Sequence, residues 1–404
     1  MTLTITRLGH HGDGIATGED GPIYVARSLP GEVVTGDVEG DRLSAPRIVT
    51  PSPDRVSAPC PHARRCGGCA VQHASDAFVA TWKADLVRAA LARAGLEAEI
   101  ASVETSPSRS RRRATLSARR TRKGAEIGFH IRGSAEIVAI PDCRVLSPAL
   151  LARLPQLEAL ARIAAPRGVE VALQMTETAA GVDLSVTGAR DLDRDLLAAL
   201  AEQGHGFVRI TWNGEPAVQQ DTPWVALGRA RVTPPPGAFL QATAAGEAAL
   251  TARVTEILGG AQRVVDLFAG CGTFTFPLAE TAAVHAVEGD RPALASLLAA
   301  ARATPGLRPV TGAVRDLFRE PLRPDELEGF DAAVIDPPRA GAAAQMAQIA
   351  ASGLRRVAVV SCDPGTFARD AATLAKAGFR MGPITVVDQF RWSPHIELVT
   401  SFER

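Results

Sequence analysis

The alternation of apolar and polar positions divides the chain into three parts. Residues 1–52 hold short alternating runs such as LTITRL and PIYVARSL between glycine turns, which predicts a small β-barrel. In residues 53–235 strand-like and helix-like pieces mix without a repeat, as is typical of an α+β domain. From 236 to 404, apolar strands and helical segments alternate regularly, which predicts a doubly wound α/β domain built on a parallel sheet.

The composition is that of a globular protein without a global charge bias. Of the 404 residues, 46% are hydrophobic and 22% are charged, the formal net charge is zero, and no apolar run is long enough to span a membrane. The first residues, MTLTITRLGHHGDG, lack the apolar segment of a signal peptide. We therefore expect a cytoplasmic monomer without membrane contact, in which any nucleic-acid surface is a local patch.

Cys362 lies where open α/β sheets bind their ligands. It ends the apolar run of VVSCDPGTFARD, and the Asp-Pro-Gly that follows predicts a turn into a helix. Because ligands bind at the carboxyl ends of such strands, Cys362 is a candidate catalytic residue. A buried structural thiol is the alternative, and for an isolated cysteine it is the more common one.

A glycine-rich turn and an acid on the next strand indicate a nucleoside site. In VVDLFAGCGTFTFPLA, Gly270 and Gly272 let the backbone approach a ligand, although a lone G-x-G is weak evidence. Glu288 ends the next strand at the spacing where a carboxylate binds ribose hydroxyls. Position 275, where dinucleotide sites have a third glycine, is Thr275, so a cofactor without a pyrophosphate, such as S-adenosylmethionine, fits. Asp316 is either a contact to the adenine amine or a solvated loop acid.

The segment AAVIDPPRAG places an acid and two prolines at another strand end. Asp336 is followed by Pro337 and Pro338, which cannot continue a sheet ladder and so hold a rigid loop. Such a pattern also occurs in loops that only connect two elements. Methylases of exocyclic base amines usually have an aromatic residue after the second proline, where this chain has Arg339. Methylation of an amine is therefore disfavoured.

A thiol beside a methyl donor has a specific chemical use. Carbon 5 of a pyrimidine is a poor nucleophile, and addition of a thiolate at C6 makes it electron-rich. The thiol of Cys362 then needs a lowered pKa, for which Arg369 and the amino end of the following helix are candidates. A base must remove the C5 proton, and Glu397, which interrupts an apolar strand, is either that base or an edge residue.

The motifs together resemble a known family, the RNA 5-methyluridine methyltransferases. The resemblance lies in PGAFLQAT, DLFAGCGTFTFPLA, IDPPRAG, VVSCDPGTFARD and HIELV, in this order. Upstream, CPHARRCGGCAVQH and PDCRVLSP are similar to the iron–sulfur segment of the ribosomal-RNA branch, and the N-terminus is similar to its TRAM domain. The resemblance implies an OB-like TRAM barrel over 1–52, a central α+β iron–sulfur domain over 53–235, and a Rossmann-like methyltransferase domain over 236–404.

The resemblance also implies roles for individual residues. Cys362 would attack C6 of the base and Glu397 would accept the C5 proton. The S-adenosylmethionine site would comprise Gln241, Phe268, Thr273, Glu288, Asp316 and Asp336. This chain has Asp363 and Gly365 where the family usually has Asn and Ala, and Thr273 where Asn is frequent. An acid at 363 would raise the pKa of the Cys362 thiol unless its side chain turns away.

Four cysteines form a second candidate site. Cys60, Cys66 and Cys69 have the spacing C-x5-C-x2-C, and Cys143 follows 74 residues later. The spacing alone fits a [4Fe–4S] cluster and a tetrahedral zinc ion equally, and unliganded buried thiols are a further alternative. The resemblance to the ribosomal-RNA branch favours the [4Fe–4S] cluster.

The run SRSRRRATLSARRTRK, residues 108–123, holds eight positive residues from Arg109 to Lys123 and no acid. It is either a solvated face or a phosphate-binding surface, with several arginines on one side of a strand. We expect an enzyme that methylates C5 of a uridine in a loop or single-stranded region of RNA, and the resemblance to the ribosomal-RNA branch implies 23S rRNA. Alternatives are a tRNA T-loop methyltransferase, a radical methylthiotransferase, which the absent C-x3-C-x2-C disfavours, and a non-catalytic RNA-binding iron–sulfur protein.

Overall fold

Six short strands at the N-terminus form one sheet. The computed structural model describes residues 1–122, 124–166 and 168–404. The strands are β1 (Thr2–Leu8), β2 (Gly14–Gly18), β3 (Gly21–Val25), β4 (Val33–Thr35), β5 (Arg42–Leu43) and β6 (Arg47–Thr50). Their order is β5-β3-β2-β1-β4-β6, and neighbours are antiparallel except β3 with β5. A small β module is thus present, and its assignment to the TRAM type stays a prediction.

A long helix and one strand follow the cysteine-rich segment. They are α1 (Asp76–Arg93) and β7 (Ile100–Thr105). The helix begins at Ser75, whose side chain accepts a hydrogen bond from the backbone N–H of Phe78, and it ends before Gly95, whose φ of 72° suits only a glycine without strain. In the sequence, apolar residues at helical spacing over residues 76–96 and the glycine that ends this run predict a helix here, and the structure confirms it.

The central module is a seven-stranded sheet with helices. The strands are β8 (Arg113–Arg120), β9 (Ala125–His130), β10 (Ile137–Ala139), β11 (Glu170–Thr178), β12 (Gly181–Thr187), β13 (Phe207–Trp212) and β14 (Glu215–Gln219), and the helices are α2 (Pro148–Leu151), α3 (Leu154–Ala164) and α4 (Arg194–Gln203). The order is β10-β9-β8-β11-β12-β13-β14, with only β12 and β13 parallel. The mixture of mostly antiparallel strands and helices agrees with the predicted α+β class.

The C-terminal part contains the largest sheet. After the ribbon of β15 (Val225–Leu227) and β16 (Ala230–Val232) come α5 (Ala244–Ile257), β17 (Arg263–Leu267), α6 (Thr275–Leu278), β18 (Ala283–Glu288), α7 (Arg291–Ala303), β19 (Val310–Val314), β20 (Ala332–Ile335), α8 (Ala343–Ala351), β21 (Arg356–Ser361), α9 (Pro364–Lys376), β22 (Arg380–Met381), β23 (Ile384–Asp388) and β24 (Glu397–Glu403). The order is β19-β18-β17-β20-β21-β24-β23-β7, and β22 pairs with β24.

The sheet is mixed rather than wholly parallel. Strands β17 to β21 run parallel to one another, as predicted, but β24 is antiparallel to both β21 and β23. The physical reason is the short connection between β23 and β24, because a parallel pair needs a crossover of about a dozen residues or more. The doubly wound α/β prediction therefore holds for the five parallel strands and not for the closing pair.

The edge of this sheet comes from far upstream. Strand β7 pairs parallel with β23, with Ser102 opposite Thr385, and α1 packs against both β7 and α9. Residues that the sequence analysis assigned to the central domain therefore complete the C-terminal sheet. The boundary predicted at 236 missed this, because the pattern of a segment does not reveal a pairing partner so distant in sequence. In the described parts of the chain, no helix combines the length and the apolar character needed to cross a membrane.

Candidate active site

The carboxyl ends of the parallel strands surround one cavity of about 600 Å³. It is lined by all the predicted catalytic residues and by five of the six predicted cofactor residues. The predicted residues that line it are Gln241, Phe268, Thr273, Glu288, Asp336, Cys362 and Glu397. These positions come together because parallel strands end at the same edge of the sheet.

Cys362 and Glu397 are brought together by strand register. Strands β21 and β24 pair antiparallel with Ser361 opposite Leu398. The residue after Ser361 and the residue before Leu398 therefore stand opposite each other at the end of the ladder. The thiol is partly buried and the carboxyl is 4% exposed.

Two carboxyl groups that line the cavity, those of Asp336 and Glu397, and the carboxyl of the neighbouring buried Asp266 have raised pKa values. Complete burial raises the pKa of Asp266 to about 7, although Thr275 donates a 2.5 Å hydrogen bond to it, and burial together with the charge of Asp266 raises that of Asp336 to about 7. Burial and the charge of Asp336 raise the pKa of Glu397 well above its usual range. Because buried carboxylates this close repel each other, the cavity favours a cationic ligand.

The same environment acts on the Cys362 thiol. Burial, and then the charges of Glu397 and Asp336, raise the pKa of the Cys362 thiol to about 12, while the Arg339 guanidinium lowers it. The sequence analysis named Arg369 and the amino end of the following helix as candidates for lowering the thiol pKa, but the Arg369 side chain binds Asp370 and the carbonyl of Ala340 instead. Positive charge at the thiol therefore comes from Arg339.

Asp363 turns away from the thiol. Its Oδ1 accepts hydrogen bonds of 2.9 Å from the backbone N–H groups of Gly365 and Thr366, so it caps α9. Its charge is not among the main influences on the pKa of the Cys362 thiol, which are burial, Glu397, Asp336 and Arg339. The departure from the family pattern at this position therefore serves chiefly to cap the helix.

Arg339 also binds His395 across the cavity wall. Its Nη2 lies 2.9 Å from His395 Nδ1, and since a guanidinium only donates, Nδ1 is the acceptor. Burial and the Arg339 charge lower the pKa of His395 to about 4, which keeps the imidazole neutral at neutral pH. A neutral ring with an accepting Nδ1 has its proton on Nε2.

The glycine turn is shaped around Glu288. Its carboxyl accepts hydrogen bonds from the backbone N–H groups of Gly270 (2.8 Å) and Asp290 (2.7 Å). A Cβ on Gly272, which has a φ of 99°, would lie 2.6 Å from the Phe276 ring, so only glycine fits. The turn thus holds the carboxylate at the cavity with lone pairs left for a ligand.

Phe268 adopts a conformation that is rare for a phenylalanine, with a φ of 63°. Such backbone strain persists only where the surroundings enforce it and is concentrated at functional sites. Its ring lies 5.3 Å from that of Phe318, which is 47% exposed. Asp316 is not among the residues that line the cavity, and its Oδ1 accepts from the backbone N–H of Phe318 (3.0 Å). A role for Asp316 in binding the cofactor stays a prediction.

Gln241 is held at the centre of a buried chain of amides. Its Oε1 accepts a 2.6 Å hydrogen bond from Gln389, and its Nε2 donates to Asp336 at 3.3 Å. Gln389 in turn accepts from the backbone N–H of Thr243. The sequence analysis missed Gln389, which lies in an irregular segment without a motif.

Four further cavity residues escaped sequence reasoning as site residues. Arg113 stacks on Phe239, 4.5 Å from the ring centroid, and Arg111 lies 5.5 Å from the ring centroid of Phe390. Phe239 is 60% exposed, which is unusual for so large an apolar side chain. The sequence did contain one signal for Phe239 as a site residue, namely its position two residues before Gln241 in the motif PGAFLQAT.

Two arginines of the basic run pair with acids of the protein, while Arg109, Arg120 and Arg122 are exposed. Arg112 pairs with Glu247 and donates to the carbonyl of Gln241, and Arg119 pairs with Glu170 at 3.0 Å. Burial alternates along β8, so that Arg113 and Arg119 lie on one face, as predicted. Lys123 lies outside the described residues. Phosphate binding by this run stays a prediction.

The four cysteines converge at a second, small cavity of about 20 Å³. It is lined by Cys60, Cys66, Cys69 and Cys143 together with Arg111. Burial, and to a smaller extent the charges of the other three thiols, raise the pKa of the Cys69 thiol to about 12, while a hydrogen bond with Gln72 lowers it. Among the residues that the structure describes, no group of three or more His, Cys, Asp or Glu side chains is arranged to hold a metal ion.

Comparisons with known proteins show which family the chain is similar to. The family model for tRNA (Uracil-5-)-methyltransferase matches residues 314–404. An uncharacterized RNA methyltransferase of Caulobacter vibrioides is 46% identical, over 100% of this chain and 99% of its own length. The 23S rRNA (uracil(1939)-C(5))-methyltransferase RlmD of Pseudomonas fluorescens is 36% identical, over 99% of this chain and 93% of its own length.

A solved structure shares the fold along the whole chain. It is the Pyrococcus abyssi tRNA (uracil-54, C5)-methyltransferase in complex with S-adenosyl-L-homocysteine, with a TM-score of 0.75, 22% identity and 100% coverage of both chains. The protein belongs to the family of S-adenosylmethionine-dependent RNA (uracil-C5-)-methyltransferases.

Proposed function

We propose that the protein methylates C5 of one uridine in 23S rRNA through a covalent bond between Cys362 and C6 of the base. The observation that supports this most directly is the position of Cys362 and Glu397 on paired strands at one cavity. The 36% identity to RlmD over nearly the whole chain supports 23S rRNA as the substrate.

The two residues divide the covalent chemistry between them. The Cys362 thiolate adds to C6, which breaks the C5–C6 π bond and places the electron pair on C5 and O4. Once C5 has been methylated, Glu397 accepts the C5 proton, the double bond re-forms, and the Cys362 sulfur leaves as thiolate. The raised pKa of Glu397 makes its carboxylate a stronger base for this step.

We infer that S-adenosylmethionine binds among Gln241, Phe268, Thr273, Glu288 and Asp336. It supplies an electrophilic methyl group on a positively charged sulfur. The acids of the cavity suit this charge, and Glu288 has carboxylate lone pairs available for ribose hydroxyls. A cation in the cavity also lowers the pKa of the Cys362 thiol, which opposes the effect of the neighbouring carboxylates.

The chemistry is tested by covalent trapping. Incubated with 5-fluorouridine RNA and S-adenosylmethionine, the protein is expected to form an adduct that mass spectrometry locates at Cys362, because fluorine cannot leave C5 as a proton does. Cys362→Ala abolishes the adduct and the methylation of unmodified RNA, whereas Cys271→Ser, which alters another cavity thiol, retains adduct formation. Normal methylation by Cys362→Ala would refute the mechanism.

The substrate is tested by mapping methylated nucleotides in rRNA and tRNA from a strain that lacks the gene. We expect one 5-methyluridine to be lost from 23S rRNA and none from tRNA. The tRNA alternative is favoured by the Pyrococcus abyssi fold, which covers all three parts of this chain, so the N-terminal modules do not distinguish the two substrates. Loss of the T-loop 5-methyluridine alone would establish that alternative.

We also propose that Cys60, Cys66, Cys69 and Cys143 hold a [4Fe–4S] cluster. All four line one cavity, backbone N–H groups of Gly68 and Val145 point at the sulfurs of Cys66 and Cys143, and the buried Arg111 offsets thiolate charge. A cavity of about 20 Å³ has room for roughly one water molecule, so the thiols must move apart to admit a cluster.

The cluster is tested by analysing anaerobically purified protein for iron, sulfide and zinc. Four iron and four sulfide per chain with broad visible absorbance are expected, and Cys143→Ser is expected to lower the iron content. A colourless protein with one zinc ion would refute the cluster.

A further inference from the structure

Lys83 is a completely buried lysine that the reaction does not use directly. It lies in α1, is 0% exposed, and its ammonium donates to three acceptors. These are Asp388 Oδ1 at 2.5 Å, the carbonyl of His395 at 2.8 Å and the carbonyl of Phe390 at 3.3 Å. An ammonium has three N–H groups and no lone pair, so every one of them is used.

The segment between β23 and β24, residues 389–396, is called the site loop here. Two of the three acceptors, Phe390 and His395, belong to it, and the third, Asp388, is the residue before it. Phe390, His395 and Ile396 of the site loop line the active-site cavity, and Glu397 follows directly. The single ammonium therefore binds the start and the end of the segment that leads into the proton acceptor.

The site loop is strained and is held at further points. Trp392 has a φ of 63°, a conformation that must be enforced by its surroundings. Its carbonyl accepts backbone hydrogen bonds from Ala70 (2.8 Å) and Val71 (3.0 Å), and Arg391 pairs with Asp76 at the start of α1. All these contacts come from residues 70–83, and Lys83 is the one that reaches both ends of the site loop.

We propose that Lys83 is a positioning residue, which fixes the site loop and thereby sets the place of Glu397 for removal of the C5 proton. Stability alone is a poor explanation for a buried ion pair, because apolar side chains of the same volume stabilise a fold as well or better. An ammonium, however, binds three oxygens from separate residues at one point. This inference rests on the proposed role of Glu397.

The test compares Lys83→Met with Arg209→Met. Arg209 forms a largely buried pair with Asp183 in the central sheet, with side chains 11% and 5% exposed, and it also donates to the carbonyl of Pro234. Neither partner belongs to the site loop, so the loss of Arg209 is a control for destabilisation. We expect turnover of Lys83→Met to fall by about 10²-fold, as a displaced base does, and Arg209→Met to stay within about 3-fold of wild type while folded. The covalent adduct with ordinary uridine RNA is expected to accumulate only in Lys83→Met.

Hydrogen exchange of residues 389–396 provides a readout that is independent of the reaction. We expect it to become faster in Lys83→Met and to stay unchanged in Arg209→Met. Adduct levels, turnover and exchange that match those of Arg209→Met would overturn the proposal.

A second variant keeps the proposal falsifiable if Lys83→Met does not fold. In Lys83→Met/Asp388→Asn both charges are gone, so no unpaired buried charge remains. Restored stability with turnover still low supports the positioning role of Lys83, and restored turnover overturns it.

If wild-type protein forms no adduct with 5-fluorouridine RNA, the proposed function fails. If wild type forms it and the double variant turns over normally, only the role of Lys83 fails.

Discussion

Cys362 and Glu397 stand opposite each other at the end of the β21–β24 ladder, one residue beyond the pair Ser361 and Leu398. The proposed nucleophile and the proposed proton acceptor are thus fixed by the same backbone hydrogen bonds. An antiparallel closing strand makes this possible, because it brings the start of β24 to the carboxyl end of β21. The mixed sheet is therefore a requirement of the site.

Glu397→Gln should separate addition from elimination. We expect kcat to fall by about 10²–10⁴-fold, since the amide cannot accept the C5 proton, while the thiol still adds to the base. A methylated RNA–protein adduct should then accumulate with ordinary RNA, visible on denaturing gels. Glu403→Gln, the same change at the exposed end of β24, is the control. Wild-type turnover by Glu397→Gln would contradict the assignment.

The pH dependence of Cys362 alkylation should shift in opposite directions in two variants. Glu397 raises the thiol pKa and Arg339 lowers it. Removing the negative charge in Glu397→Gln therefore increases the thiolate fraction, and removing the positive charge in Arg339→Gln decreases it. Reaction with iodoacetamide between about pH 7 and 10, quantified by peptide mass spectrometry, should be faster in the first and slower in the second.

The alkylation experiment has an internal control in Cys271. Burial raises the pKa of this thiol to about 12 as well, but the neighbouring charges are those of Asp290 and Glu288. Its rate should not change in either variant. Equal shifts at both thiols would show a general opening of the cavity and contradict a local electrostatic effect.

Binding of S-adenosyl-L-homocysteine should distinguish Glu288 from Asp316. In Glu288→Gln one of the N–H groups of Gly270 and Asp290 loses its acceptor, and the ribose loses a carboxylate, so we expect affinity to fall by about 10-fold or more in calorimetry. Asp316→Asn should change it by less than about 3-fold, because Asp316 does not line the cavity. Equal losses would place Asp316 in the site, as the family resemblance implies.

Asp363 should affect stability and leave the thiol unchanged. Asp363→Ala removes the cap of α9 and is expected to destabilise the protein by about 1 kcal/mol in denaturant titrations, while Asp363→Asn keeps the cap and costs less than about 0.5 kcal/mol. The alkylation rate of Cys362 should be the same in both. A faster rate in Asp363→Ala would show that the carboxylate acts on the thiol after all.

The site residues at strand ends were predictable because parallel strands finish at a common edge, so Glu288, Asp336 and Cys362 could be placed together from the order of segments alone. The pairing of β7 with β23 could not be predicted, since nothing in residues 100–105 names a partner almost three hundred residues later. Lys83 was inside a correctly predicted helix, but a helical pattern does not say what a buried charge will bind.

Strand β7 has a consequence for how the enzyme is assembled. The catalytic half is incomplete until the ribosome has made β23, while its edge strand and Lys83 already exist near the beginning of the chain. Residues 236–404 expressed alone would leave β23 as an open edge and Asp388 without its cation, and we expect that fragment to aggregate. Methylation therefore requires the synthesis of β23 and β24, which complete the sheet together with the early strand β7.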